Sequence, residues 1–187
     1  MEPHPTLEQV IQLLAASEQG AYFGEPVSQL EHALQTAHFA RQAKANDALV
    51  TAALLHDIGH LCAPDQPQME GMGAMDHDKL GGDYLRRAGF QERVCQLVAG
   101  HVEVKRYKAA TQLDYLQELS EASLQTLMFQ GGAMNEQEAE SFRKSPLFQE
   151  LLLLRACDEQ AKVPGLQVEP LAYYRPYLIR CLTHAGL

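Results

Sequence analysis

The stretch ALLHDIGH sets a histidine and an aspartate, His56 and Asp57, side by side in a run patterned as a helix, and this pair constrains the fold most. Adjacent helical residues point about 100° apart, so His56 can reach one cation while Asp57 reaches between two. His32 lies on the preceding helix-patterned stretch and Asp158 on a later one. Neutral imidazole and carboxylate are good ligands for iron, manganese or zinc. A helical bundle encloses a metal centre by sending such side chains inward from several helices. Two more histidines extend the set: His77, after a Met-rich stretch, and His101, at the end of VCQLVAGH. One metal needs neither, whereas a second metal sharing Asp57 needs both. Four neutral imidazoles and two carboxylates carry about −2 of charge, so two iron ions would leave an open cationic centre.

The remaining pattern is helical, with period-3.6 apolar spacing and few alternating runs. Thr6 can cap a helix over Leu7–Ala16, and a second is expected over Val27–Ala43. Asn46 or Asp47 caps a third that runs to about Leu61, carrying His56, Asp57 and His60 on one continuous element. Helices follow over Asp76–Ala88, ended by Gly89, and over Gln91–Val104; Ser120 caps another that ends at Gly131-Gly132. Stretches near Asn135–Lys144, Leu147–Ala161 and Pro170–Thr183 complete the set, and CAPDQPQMEGMGAM reads as a long loop. No repeat or linker interrupts the chain, so residues 1–187 are expected to form an all-α, single-domain helical bundle around the metal site.

Asp and Glu number 24 against 15 Lys and Arg, a formal charge of −9. That balance opposes docking on nucleic acid or an anionic membrane, since both are negative. A small anionic substrate is compatible with it, because a metal pair reverses the local field. Cys62, Cys95, Cys157 and Cys181 show no metal-ribbon spacing and are expected as free thiols. With no secretory signal visible and no apolar run near the roughly 20 residues that span a bilayer, a cytoplasmic protein is expected.

Other polar residues are ambiguous on spacing alone. His60 stands four after His56 and would share its helix face. Lys105 stands four after His101 and reads as a solvated lysine unless that helix continues into the pocket. Ser123, Thr126 and Gln130 form a polar stripe that an exposed face would equally produce, and Tyr22 and Glu25 lie in a Gly-rich loop. His4, His38 and His184 have no comparable context and read as surface or structural.

The ordered set His32…His56-Asp57…Asp158 resembles the HD-domain superfamily. AYFGEPVSQLEHALQ, ALLHDIGH, MEGMGAMDHDKLGGDYLRRAGF, GHVEVKRY, LSEASLQTLMFQGG and RACDEQAK together make the chain, from about Leu7 through Tyr174, similar to that superfamily's mixed-valent di-iron oxygenases. These cleave carbon–phosphorus bonds in hydroxylated aminoethylphosphonates. The resemblance implies one iron on His32, His56, Asp57 and Asp158, and a second on His77 and His101, with Asp57 bridging an Fe(II)/Fe(III) pair and O2 as co-substrate. It implies that Tyr22 occupies the first iron until substrate arrives, with Glu25 as its partner and amine sensor. His60, Lys105, Ser123, Thr126 and Gln130 would surround the phosphonate.

The Met69–Met75 loop departs from the group's aromatic residues and leaves more room. With Tyr22, Phe23, Glu25 and Asp76 it makes 1-hydroxy-2-(trimethylammonio)ethylphosphonate the expected substrate, giving glycine betaine. The alternatives are 2-amino-1-hydroxyethylphosphonate giving glycine, a metal-dependent HD phosphohydrolase, or a degenerate sensor module. A separate phosphonate hydroxylase is the expected functional partner.

Overall fold

A computed structural model describes residues 4–22, 24–62, 67, 69 and 73–183. Phe23, His184 and much of the Met-rich loop, including Met72, lie outside the described residues. Eleven α-helices carry the described chain, with no strand among those residues beyond two isolated bridges, Ala21 to Ser28 and Phe90 to Leu182. None of these helices is long and apolar enough to cross a membrane. The helices are α1 (Leu7–Ala16), α2 (Gln29–Gln42), α3 (Asp47–Leu55), α4 (Ile58–Cys62), α5 (His77–Arg87) and α6 (Glu92–Thr111). Then come α7 (Tyr115–Glu118), α8 (Glu121–Phe129), α9 (Glu136–Arg143), α10 (Phe148–Gln160) and α11 (Leu171–Arg180).

Local sequence chemistry sets most helix starts. Thr6 and Gln9 form a reciprocal capping box on α1, as do Ser28 and Glu31 on α2 and Asn135 and Glu138 on α9. Asn46, not Asp47, caps α3 by accepting from Leu49 N at 2.9 Å, and Ser120 caps α8. The second helix therefore begins after Ser28 rather than at Val27. Gly131 and Gly132 take φ of +95° and +69°, the left-handed conformation expected after α8.

Three departures from the expected pattern matter for the site. The helix expected to reach Leu61 is interrupted at His56-Asp57, so α3 and α4 are separate elements. There α4 lies so close to α5 that a β-carbon on Gly59 would fall 1.9 Å from the His77 carbonyl oxygen. The helix expected to stop near Val104 continues to Thr111, which keeps Lys105 helical and aimed inward. A short α7 was not legible in the pattern.

The core centres on α3, whose residues Ala48 to Leu55 are all buried. Helices α2, α6, α10 and α11 lie against it. Leu49, Leu54, Leu55, Ile58, Leu97 and Leu154 are almost wholly removed from water, each contributing roughly 1.5–3 kcal/mol. This apolar frame fixes the end of α3, where His56 and Asp57 emerge.

Candidate metal centre and substrate pocket

His32, from α2, brings its Nε2 to 3.1 Å from His56 Nε2 and 3.2 Å from Asp158 Oδ1. His77, at the start of α5, brings its Nε2 to 3.2 Å from His101 Nε2 on α6. Asp57 lies between these pairs and divides its oxygens. Its Oδ2 is 3.3 Å from His56 Nε2 and 3.7 Å from His32 Nε2. Its Oδ1 is 3.5 Å from both His77 Nε2 and His101 Nε2. The structure thus brings together all six side chains that the sequence suggested as ligands.

Hydrogen bonding on the far side of each ring decides what the near side offers. Nδ1 of His32 lies 2.8 Å from Ala161 O, and Nδ1 of His56 lies 2.9 Å from Ala53 O. Nδ1 of His77 and His101 face Ala74 O and Val98 O at 3.3 and 2.7 Å. A carbonyl only accepts, so each Nδ1 carries the proton and each Nε2 turns a lone pair inward. Paired lone pairs at 3.1 and 3.2 Å cannot satisfy one another; a shared cation satisfies them. The carbonyl contacts also fix ring orientation, as metal-binding histidines require. The donor set therefore fits two cations sharing Asp57.

The electrostatics point the same way. Burial would push the Asp57 carboxyl up, but His56 and then His101 outweigh it and hold Asp57 well below the ordinary range. Burial acts likewise on Asp158, which Arg155 and His32 bring well below it. His56 is pushed down by burial yet raised to about 9 by Asp57 and Asp158. A nest that draws a proton onto Nε2 this strongly offers the same atom to a metal.

His60 differs from the other four. Its Nδ1 accepts from Ala74 N at 3.0 Å, which places its proton on Nε2 and makes that atom a donor. Its ring stacks on His77 with centroids 3.9 Å apart, and the break at His56-Asp57 puts it on α4 rather than on one continuous helix with His56. Burial holds His60 down at about 4.

A small pocket opens beside this nest. Asp57, His77, His101 and Asp158 form one side, and Lys105, Ser123, Thr126 and Gln130 the other, with His60 also on the wall. Lys105 is buried and donates to Thr126 Oγ1 at 2.8 Å and to Ser123 O at 3.3 Å. No carboxylate lies within ion-pair distance of it among the described residues. Burial, then Arg155 nearby, lowers it to about 7. Among the described residues Gln130 Oε1 is buried with no hydrogen-bond partner. A buried ammonium without a carboxylate partner suits an anionic ligand, and the Gln130 carbonyl oxygen suits a ligand donor such as a hydroxyl.

Tyr22 closes the metal side. Its ring stacks on His32 with centroids 4.0 Å apart, and its hydroxyl donates to Asp57 Oδ2 at 2.9 Å. Burial, then Asp57 and Asp158, raises the phenol well above its ordinary value, so it stays protonated there.

Residues 30–158 match the HD domain family. This chain belongs to that family. A relative, the hydroxymethylphosphonate dioxygenase of Gimesia maris, is 38% identical over 167 residues, covering 88% of this chain and 83% of the relative. The 1-hydroxy-2-(trimethylamino)ethylphosphonate dioxygenase (glycine-betaine-forming) of Leisingera caerulea is 34% identical over 172 residues, 88% and 85% of the two chains. An uncharacterized protein of Acanthamoeba polyphaga mimivirus is 37% identical over 166 residues, 88% and 76%.

Within this HD-domain chain, some expected positions lie elsewhere. Asp76 is exposed, pairs with Lys79 at 3.0 Å and stays off the pocket wall, so it joins no cage around Tyr22 and Glu25. His38 pairs with Glu169 at 2.7 Å outside the site, and His4 is exposed. The four cysteines are free thiols.

Two pocket residues escaped sequence reasoning. Arg155 donates to Asp158 Oδ2 at 2.6 Å and to Glu159 Oε1 at 2.8 Å, holding the Asp158 carboxylate in place. The i,i+3 spacing within RACDEQAK was the available signal. Lys162 lies past the end of α10, donates to Glu25 Oε1 at 2.6 Å, and had no local signal.

Proposed function

We propose that this HD-domain chain is a di-iron dioxygenase that cleaves the C–P bond of a small α-hydroxyalkylphosphonate. Asp57, its two oxygens divided between two histidine pairs, is the observation that carries the reading, because a single-metal hydrolase has no use for His77 and His101 there. His32, His56, Asp57 and Asp158 would hold one iron; His77, His101 and the other Asp57 oxygen would hold the second. Iron bound in this way supplies dioxygen activation and Lewis acidity toward the substrate hydroxyl. The reaction balances without an external reductant: an α-hydroxyphosphonate and one O2 give a carboxylic acid and phosphate, the C–P bond breaking as the carbinol carbon is oxidised.

The protein's own groups do the positioning. Lys105 supplies a buried positive charge for the phosphonate, and His60 Nε2–H a directional hydrogen bond. Ser123, Thr126 and Gln130 line the same wall, within reach of the phosphonate oxygens. This head group is common to hydroxymethylphosphonate, 2-amino-1-hydroxyethylphosphonate and 1-hydroxy-2-(trimethylammonio)ethylphosphonate. The tail separates them. The expected trimethylammonium cage lacks Asp76, which pairs with Lys79. Hydroxymethylphosphonate requires no cage and is the substrate the geometry supports best. A separate hydroxylase acting on the parent phosphonate would supply it.

The test is phosphate release from the three phosphonates by iron-loaded protein, in air and under nitrogen. The expected result is oxygen-dependent release, fastest with hydroxymethylphosphonate, and an iron(II)/iron(III) paramagnetic signal that changes on adding it. Anaerobic release of phosphate from a phosphate ester, with no turnover of phosphonates in air, would replace this reading with the hydrolase. Fastest turnover of the trimethylammonium compound would restore the tail expected from sequence.

A further inference from the structure

Lys162 ties together three parts of the pocket that sequence keeps far apart. Its ammonium donates to Glu25 Oε1 at 2.6 Å, to Ser120 Oγ at 3.1 Å and to Ser123 Oγ at 3.3 Å. Ser120 caps α8, and Ser123 stands on the pocket wall. The chain leading into Lys162 carries Asp158 and Ala161, the latter accepting from His32. Glu25, in turn, sits at the tip of a tight turn that begins at Tyr22: Glu25 N donates to Tyr22 O at 2.7 Å, and Tyr22 N to Val27 O at 3.1 Å. Gly24, at φ +83°, allows that turn. Whatever holds Glu25 therefore holds the backbone of Tyr22, whose side chain covers His32 and Asp57.

The pocket's cations are not equally committed. Arg155 is anchored to Asp158 and Glu159. Among the described residues Lys105 meets only neutral oxygens, and it neutralises one charge of an incoming dianion. Lys162 is held by a single carboxylate and is part-exposed, so it is the cation the second charge can recruit. Lys105 and Lys162 stand on either side of Ser123, one donating to its carbonyl and the other to its hydroxyl. A dianion seated against Ser123 competes with Glu25 for Lys162.

We propose that Lys162 is a positioning residue that couples anion binding to release of Tyr22: a phosphonate dianion draws it from Glu25 and loosens the 20–28 turn. The inference rests on the phosphonate reading above. It makes the dianionic head, rather than a cationic tail, the trigger, so a substrate with no amine opens the site by itself.

The probe is methylphosphonate, which carries the dianion but no carbinol to oxidise. Its binding to iron-loaded protein under nitrogen is followed by calorimetry, and the 20–28 backbone by hydrogen–deuterium exchange. In the wild-type protein, saturating methylphosphonate should speed amide exchange in that segment several-fold. Lys162→Met should show fast exchange without the anion and no further response, and Lys162→Arg should restore the wild-type pattern. Glu25→Gln, which cuts the pair from its other end, should match Lys162→Met and guards against a folding defect in either variant. Binding that leaves wild-type exchange unchanged or slower overturns the coupling while sparing the phosphonate reading. Absence of methylphosphonate binding by the wild-type protein overturns both.

Discussion

Helices α3 and α8 are each nine residues long, and they serve the site in opposite ways. In α3, every residue from Ala48 to Leu55 is buried, and the helix ends directly at His56 and Asp57. In α8 only Leu127 is buried, while Leu124 and Met128 are exposed; its face toward the pocket is polar, with Ser123 and Thr126 held by hydrogen bonds from Lys105 and Lys162. The metal nest thus inherits the rigidity of a close-packed interior. The substrate wall is held mainly by polar contacts that a ligand can exchange for its own. One site combines a fixed half and an adjustable half because its two sides are held by different forces.

The fixed half should be the more sensitive to substitution. Asp57→Asn keeps the shape but removes the charge shared by both histidine pairs. On the di-iron reading, loss of metal and a fall in turnover of at least about 10³-fold are expected, by metal analysis and oxygen uptake. Full metal content in that variant would show that the carboxylate is dispensable. Gly59→Ala tests the packing beneath the nest, since the added carbon meets the His77 backbone. A stability loss of about 3 kcal/mol or more is expected in chemical denaturation, with weaker metal retention because His77 is displaced.

Changes in the adjustable half should spare the fold and act on binding. Lys105→Met is expected to raise KM for a hydroxyphosphonate by about 10- to 100-fold, with the melting temperature unchanged or higher, because an uncompensated buried cation is removed. Burial, then Arg155, lowers Lys105 to about 7, so its charged form prevails below that value and is lost above it. Affinity for the phosphonate dianion, referred to the concentration of that ion, should therefore weaken as pH rises through about 7, and Lys105→Met should lose that dependence. Thr126→Val is the mildest test: it removes one acceptor from Lys105, and a change of about 3- to 10-fold in KM is expected, near 1 kcal/mol. A larger loss in turnover than in KM would place Thr126 in the chemistry rather than in binding.

Much of the fixed half was legible because its signals are local. Helix caps at Thr6, Ser120 and Gly131-Gly132 follow from neighbouring residues, and the six His and Asp positions are marked by residue type on amphipathic stretches. The interruption at His56-Asp57 was not legible, because the preference for continuing the helix is overridden by α4 packing on α5 through Gly59. The extension of α6 past Val104 escaped the pattern as well, although it decides whether Lys105 faces water or the pocket. Phe23 and much of the Met-rich loop, expected from the sequence to bear on a substrate tail, lie outside the described residues, and the cage expected there lacks Asp76, which pairs with Lys79 instead.

By itself the sequence determined an all-helical chain with a set of imidazoles and carboxylates able to bind metal, since periodicity and ligand chemistry are properties of residues and their near neighbours. Only the tertiary structure decided which nitrogen of each histidine faces the nest, that Asp57 divides its oxygens between two pairs, and that Lys162 reaches across to Glu25. Those facts depend on partners distant along the chain, and a hydrogen bond's polarity is fixed only when both of its ends are in place.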